Sequence, residues 1–469
     1  MIYSTPEFIL LFAATLGFYL LFAQKRIRFG ILLAASLGFY AWAGVFDALI
    51  FAFVVAASWG AALMSGRDPS RRKGWIRVGI LVMVLHLFFW KYSSWAAGQI
   101  QVLWPGFLYG RRLNLQLPVG ISFFTLQGIA YLADLEAGRA SLMPFGRYLL
   151  FKSFFAQLVA GPIVRSRQLL PQLESLRDPR LEDLAAGLSL FVVGFFKKVL
   201  IADKVSGFVD QIFAAPSGFT RTTLLIGIAV YAVQIWADFS GYTDMGRGCA
   251  RMLGITLPEN FISPYFACSP SEFWRRWHIT LSQWIRDYIY IPLGGNRGSR
   301  SRAVAILIFT MTVSGLWHGA NWTFALWGFY HGSLLFAERL LNRWEKPVLI
   351  RAFAWPATFA GVLFGWLLFR SPDIGTFARF LGVLAHGGTG THDWSHNHGV
   401  IAALFVCAAL HAVEYRDLAT NERLLHLSVP KRQALAGAMA GIILALMLTG
   451  TIILRPFTGA PRAFIYFQF

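Results

Sequence analysis

Apolar runs of membrane-spanning length recur along this chain, and they limit its folding more than any other feature. A helix crossing the hydrocarbon layer needs roughly 20 mainly apolar residues. Runs of that kind lie near 6–23, 29–43, 45–64, 77–92, 117–134, 147–164 and 182–200. Others follow near 221–239, 303–318, 322–340, 352–369, 399–414 and 434–454. A transmembrane β-strand alternates polar and apolar positions, whereas 6–23 and 434–454 are apolar on every face. The pattern predicts an all-α polytopic membrane protein. It has about 11–13 hydrophobic helices, some of them broken, re-entrant or interfacial.

Charge supports this reading. Charged residues make up 14% of the chain, against about a quarter in soluble proteins. The net charge of +19 sits in short clusters between apolar runs, at Lys25 to Arg28, Arg67 to Lys73, Arg165 to Arg167 and Arg297 to Arg302. A nucleic-acid binder gathers its basic residues on a polar folded domain; clusters between spans mark cytosolic helix ends instead. The first run has no basic start and is followed by Lys25, Arg26 and Arg28, the reverse of a cleaved signal peptide. It reads as a retained helix with its N-terminus outside and the 24–28 loop in the cytosol. The 65–76 loop, SGRDPSRRKGWI, falls on the same side. Three Cys provide no disulfide or zinc framework. With neither a tandem repeat nor a low-complexity linker, 1–469 reads as one domain. The polar loop 384–398 carries His392, His396 and His398, but its Gly-rich context without Cys or paired carboxylates reads as solvated rather than metal-binding.

The middle of the chain departs from plain spans and loops. Gln234, Asp238, Ser240, Tyr242, Asp244 and Arg247 lie in or beside one apolar run. Carboxylates are costly in hydrocarbon, so these groups face one another, a cavity or the membrane surface. Gly241 predicts a turn that leaves Asp244 outside the span, and an Asp–Arg network fixing a bend is the plain structural reading. In SEFWRRWHITLSQWIRDYIYIPLGGNRG, Phe273, Trp277, Leu281, Trp284 and Tyr288 form an apolar stripe at helical spacing. Glu272, Arg275, Arg276, Gln283, Arg286 and Asp287 lie mainly off it, which predicts an in-plane or re-entrant segment over 271–290. His278 within it fits a hydrogen-bonded core His equally well.

A second histidine is sharper. FTMTVSGLWHGANWTFALWGFYHG places His318 inside an apolar segment beside Gly315, Gly319 and Ala320, where small residues admit a neighbouring helix or a ligand. Asn321 shares its face if the helix is continuous, and His331 repeats the pattern more weakly. No nucleophile elbow, Walker loop, zinc pair or dinucleotide fingerprint is present. An imidazole, ordinarily titrating near about 6.5, can take a proton from an attacking alcohol or relay protons in a transporter. The residues alone leave both open.

Longer segments carry a resemblance. LPVGISFFTLQ (117–127), FFAQLVAGPIVR (154–165), GFFKKVLIAD (194–203), DFSGYTDMGRGCARMLG (238–254), LPENFISPY (257–265), the block 273–298, GLWHGANWTFALWG (315–328) and the terminal FIYFQF (464–469) together resemble the membrane-bound O-acyltransferase family. The likeness is to its bacterial branch of polysaccharide O-acetyltransferase membrane subunits such as those for alginate. It covers almost the whole chain and is strongest over 117–331. His278 is followed by Ile-Thr where that branch commonly has Ile-Ser, which keeps a hydroxyl.

The resemblance implies His318 as the catalytic histidine and His278 as the second active-region histidine. Asn321, Asp238, Tyr242, Trp277 and Trp317 become pocket-forming, substrate-contacting groups. It implies transfer of acetyl from a cytosolic thioester donor, acetyl-CoA, toward a polysaccharide outside a bacterial inner membrane. No bound metal or redox cofactor is required, and a periplasmic or membrane-anchored acetyltransferase is the expected partner. Basic cytosolic loops suit the phosphates of CoA or anionic lipid. The alternatives are acylation of a cell-wall polymer (peptidoglycan O-acetylation or teichoic-acid D-alanylation) and a polysaccharide or proton-coupled transporter, whose inverted repeats the sequence does not display.

Overall fold

The computed structural model describes residues 2–104, 106, 115–159, 161–341, 348–388, 390 and 398–421, and no strand occurs among them. The apolar run 434–454, the 464–469 segment, and His392 and His396 lie outside the described residues. The chain divides into two compact units, one drawn from Met1–Phe195 and Tyr242–Pro258, the other from Phe196–Gly241 and Glu259–Ser428.

In the first unit, α1 (Pro6–Leu21), α2 (Lys25–Ala41), α3 (Val45–Arg67) and α4 (Arg72–Leu103) form successive hairpins. The short connections put Lys25 to Arg28 and Arg67 to Lys73 at one end of this stack. Arg28 is buried, donating to the Tyr19 carbonyl at 3.1 Å and to the Asp178 carboxylate. Helix α5 (Ile121–Glu136) packs on α3 and α4. The run 147–164, read as a span, is instead two short helices, α6 (Phe145–Ser153) and α7 (Phe155–Leu158). Phe154 breaks it by taking ψ 110°, so no continuous helix crosses there. α8 (Ser166–Glu174) and α9 (Leu181–Phe195) follow.

A π-helical segment, Phe196–Ala202, carries α9 into α10 (Asp203–Ala214), and α11 spans Arg221–Met252. The turn expected at Gly241 is absent, since α11 passes through that residue unbroken. Asp244 and Arg247 pair along it at 3.2 Å, one turn apart, and a regular helix satisfies that pair without a bend. The helix stops at Gly254, whose φ of +76° suits glycine, with the Ile255 N–H donating to the Ala250 carbonyl at 2.9 Å.

The second unit continues with α12 (Pro270–Arg276), α13 (Ile279–Ile285), a π turn Arg286–Tyr290, α14 (Arg300–His318) and α15 (Trp322–Leu341). Then come α16 (Val348–Arg370), α17 (Ile374–His386) and α18 (His398–Asn421). The aromatic stripe is buried at Phe273, Trp277, Leu281 and Trp284, while Arg275, Gln283 and Arg286 are exposed. The backbone beneath it is two helices of 7 residues each, broken at Trp277 and His278. Each spans about 10 Å, too little to cross a bilayer.

Five helical stretches among the described residues are long and apolar enough to cross: Val45–Arg67, Pro69–Leu103, Leu181–Ala214, Arg221–Met252 and Phe353–Arg370. The expected count of hydrophobic helices is higher because several apolar runs, such as 147–164, fold as short pieces. Others, such as α14 and α15, dilute their apolar residues with Gly, Ser, Thr and His. Burial separates roles within the set: 78% of the apolar window of α11 is buried, against 17% for α4. Thus α11 is an interior helix, and α4 turns Leu81, Leu85, Phe88 and Phe89 outward.

The α14–α15 hairpin is closed by glycines. A Cβ on Gly315 would collide with the Phe324 carbonyl oxygen, and one on Gly328 with that of Met311. Gly315→Ala should therefore destabilise the protein by roughly 1–3 kcal/mol, lowering its melting temperature in detergent. Gly30→Ala is the control, because no atom lies within 4 Å of the added carbon. Equal melting of the two variants would refute close packing as the reason for Gly315.

Candidate active site

His318 is the last residue of α14. Gly319 then leaves the helix in an extended conformation, and the Phe324 ring occupies the space where a side chain at 319 would stand. His318 is 4% exposed, walled by three rings at near-right angles. Trp317 lies 4.9 Å away, Phe369 of α16 5.1 Å and Trp327 of α15 5.2 Å, centroid to centroid. Trp366 extends this wall, 5.6 Å from Phe369 and 4.7 Å from Trp277. A pocket so lined keeps bulk water from the imidazole.

His278 sits at the break between α12 and α13 with φ +41° and ψ +53°, left-handed values that are uncommon outside glycine. Two main-chain bonds hold the break open: Ile262 N–H donates to the Arg276 carbonyl at 3.0 Å and Ile279 N–H to the Asn260 carbonyl at 3.0 Å. The ring is 1% exposed, with Phe239 edge-on at 4.6 Å. Burial pushes its imidazole down to about 3, so it is neutral at physiological pH. The Trp317 indole lies 6.2 Å from His278 and 4.9 Å from His318. The two histidines thus flank one tryptophan.

The structure brings His318, His278, Trp317 and Trp277 into one aromatic assembly. The other predicted residues have partners of their own. Asn321 does not share the face of His318, because the helix ends at His318 and Gly319 is extended. Instead its Oδ1 accepts from Thr323 N–H at 3.2 Å at the start of α15, and its Nδ2 donates to the Pro372 carbonyl at 2.5 Å. Asp238 forms a 2.6 Å ion pair with buried Lys198, whose ammonium also meets Asp203 at 2.9 Å. Tyr242 belongs to the first unit, where its ring stacks on Tyr3 at 4.3 Å.

His331 is buried against Trp327 at 4.8 Å and lines a cavity of about 600 Å³ with Phe273, Glu338, Ala357, Thr358 and Gly361. No group of three His, Cys, Asp or Glu able to hold a metal occurs among the described residues. Sequence reasoning missed Asn260, Trp327 and Phe369. Asn260 alone had a visible signal, a polar residue inside LPENFISPY.

Residues 120–374 match the family model described as "MBOAT, membrane-bound O-acyltransferase family". The chain belongs to that family. It is therefore an O-acyltransferase by descent, and His318 and His278 both fall within the matched span. The acyltransferase is 37% identical to "Probable alginate O-acetylase AlgI" of Azotobacter vinelandii, over 84% of this chain and 79% of that one. It is 34% identical to the "Peptidoglycan O-acetyltransferase" of Helicobacter pylori, over 81% and 79%. With the "Teichoic acid D-alanyltransferase" of Bacillus subtilis it shares 26%, over 68% and 85%.

Proposed function

We propose that this acyltransferase moves acetyl from a cytosolic thioester, acetyl-CoA, toward a polysaccharide outside the bacterial inner membrane, as in alginate O-acetylation. The similarity to the Azotobacter protein over most of both chains supports the acceptor class. The observation that carries the chemistry is a buried histidine pair flanking one indole in an aromatic pocket. His318 acts as general base. It accepts the proton of an acceptor hydroxyl as that oxygen attacks the thioester carbonyl carbon. The C–S bond then breaks, and the departing thiolate takes the proton back. Exclusion of bulk water disfavours hydrolysis of the thioester. The basic Lys25 to Arg28 and Arg67 to Lys73 segments face the cytosol, and a periplasmic or membrane-anchored acetyltransferase completes delivery to the polymer.

A second reading has its own support, since the Helicobacter relative, named for peptidoglycan, is nearly as similar. Deleting the coding sequence separates the two. Loss of alkali-labile acetate from the secreted polysaccharide, restored by the wild-type chain, is the expected result. Loss confined to muropeptides would replace the polysaccharide reading with the peptidoglycan one.

A further inference from the structure

The hydrogen bonds around Asn260 decide where His278 keeps its proton. The Asn260 side-chain oxygen is approached by three groups: the Thr280 main-chain nitrogen at 3.1 Å, the Thr280 hydroxyl at 2.9 Å and His278 Nδ1 at 3.2 Å. A main-chain N–H can only donate. The atom facing it must be the oxygen of the amide, not the nitrogen, which fixes the orientation of Asn260. His278 Nδ1 points at that same oxygen and must therefore carry a hydrogen. A neutral imidazole has one N–H, so Nε2 is left as a bare lone pair. Nε2 is buried and has no hydrogen-bond partner among the described residues.

We infer that Asn260 is a positioning residue that locks His278 into the Nδ1–H tautomer, leaving Nε2 as a hydrogen-bond acceptor in the acyl-transfer pocket. This rests on the acyl-transfer reading above and sharpens it. A lone pair cannot stabilise the negative charge that develops on the thioester oxygen, so His278 is not the oxyanion donor. Its Nε2 can only accept a hydrogen bond, from a donor group of the bound substrates other than the hydroxyl whose single proton goes to His318. The left-handed backbone at His278 belongs to the same device, because the Ile279 and Thr280 N–H groups both reach Asn260, one its carbonyl and one its side chain. The loop 260–262 thus aims the ring as well as fixing its proton.

Nitrogen-15 NMR of histidine-labelled protein in lipid bilayers, with His278→Gln used to assign the signal, tests the inference without an activity assay. The expected spectrum of the wild type has a protonated Nδ1 and an unprotonated Nε2. A proton on Nε2 overturns the inference whatever the transfer assay gives, and the function reading then stands or falls separately. Asn260→Asp keeps an oxygen in place and should retain the tautomer and most of the rate. Asn260→Ala should mix the tautomers and slow transfer at least about tenfold, part of the 10²–10⁴ that positioned proton-transfer groups supply. An Asn260→Ala protein with wild-type rate and unmixed tautomer also overturns it. Should that variant fail to fold, the wild-type spectrum still decides.

Discussion

His318→Ala should reduce acetyl transfer by about 10²–10⁴-fold while the protein remains at wild-type abundance in the membrane. The asymmetry follows from the local structure. His318 ends α14, and its three ring neighbours are held by their own helices: Trp327 by α15, Phe369 by α16, and Trp317 by the preceding position of α14. Removing the imidazole opens a small void at a helix end without uncoupling the α14–α15 hairpin, whose closure depends on Gly315 and Gly328. His318→Gln fills much of that void with a polar amide that cannot act as a base. Equal loss in both variants, with unchanged abundance, assigns the effect to proton transfer. Loss of protein from the membrane in both would assign His318 to packing.

Lys198→Met should cost the protein most of its folded population, for an electrostatic reason. The π-helical segment Phe196–Ala202 turns two consecutive lysines inward, leaving Lys197 3% and Lys198 1% exposed. Lys197 meets Glu414 at 3.2 Å and lies over the Trp236 ring at 4.8 Å. Lys198 bridges Asp238 and Asp203. Taking away Lys198 leaves two carboxylates facing each other, and breaking a buried pair in this way costs about 3–5 kcal/mol. Adding Asp238→Asn should restore much of the folded protein, because Asp203 is 19% exposed at its side chain and can be hydrated. Folded protein in the membrane is measured by size-exclusion profile after mild extraction. No recovery in the double variant would refute the ion-pair account. Recovered folding without recovered transfer would give Asp238 a part in the chemistry beyond its salt bridge.

Much of this was legible in the sequence, because it depends on local pattern. Length and apolarity mark α3, α4, α11 and α16, and the stripe from Phe273 to Trp284 coincides with side chains that the structure buries, although the helix it was read on is broken at Trp277 and His278. What escaped the sequence depends on backbone breaks and on partners remote along the chain. Phe154 interrupts an apolar run without any Gly or Pro at the break, so composition gave no warning. Gly241 looked like a turn, yet interior packing keeps α11 helical through it and the stop comes at Gly254. Asn321 seemed to share a face with His318 only while the helix was assumed continuous. Lys198 and Asp238 are 40 residues apart, so their pairing at 2.6 Å has no local signature. Asn260 is 18 residues from His278 and meets it only because the 260–262 loop folds back along the break.

Stoichiometric transfer by the purified chain in proteoliposomes tests the central claim most directly. Acetyl-CoA labelled in its acetyl group is supplied on the face bearing the basic loops, with hydroxyl-bearing polymer and any required partner on the other. Free thiol and alkali-labile acetyl ester are then counted together. The account predicts one thiol released per ester formed on the far side, and neither product above background with His318→Gln. Wild-type transfer by His318→Gln would contradict it, as would a wild-type protein that moves protons or polymer across the bilayer without forming ester.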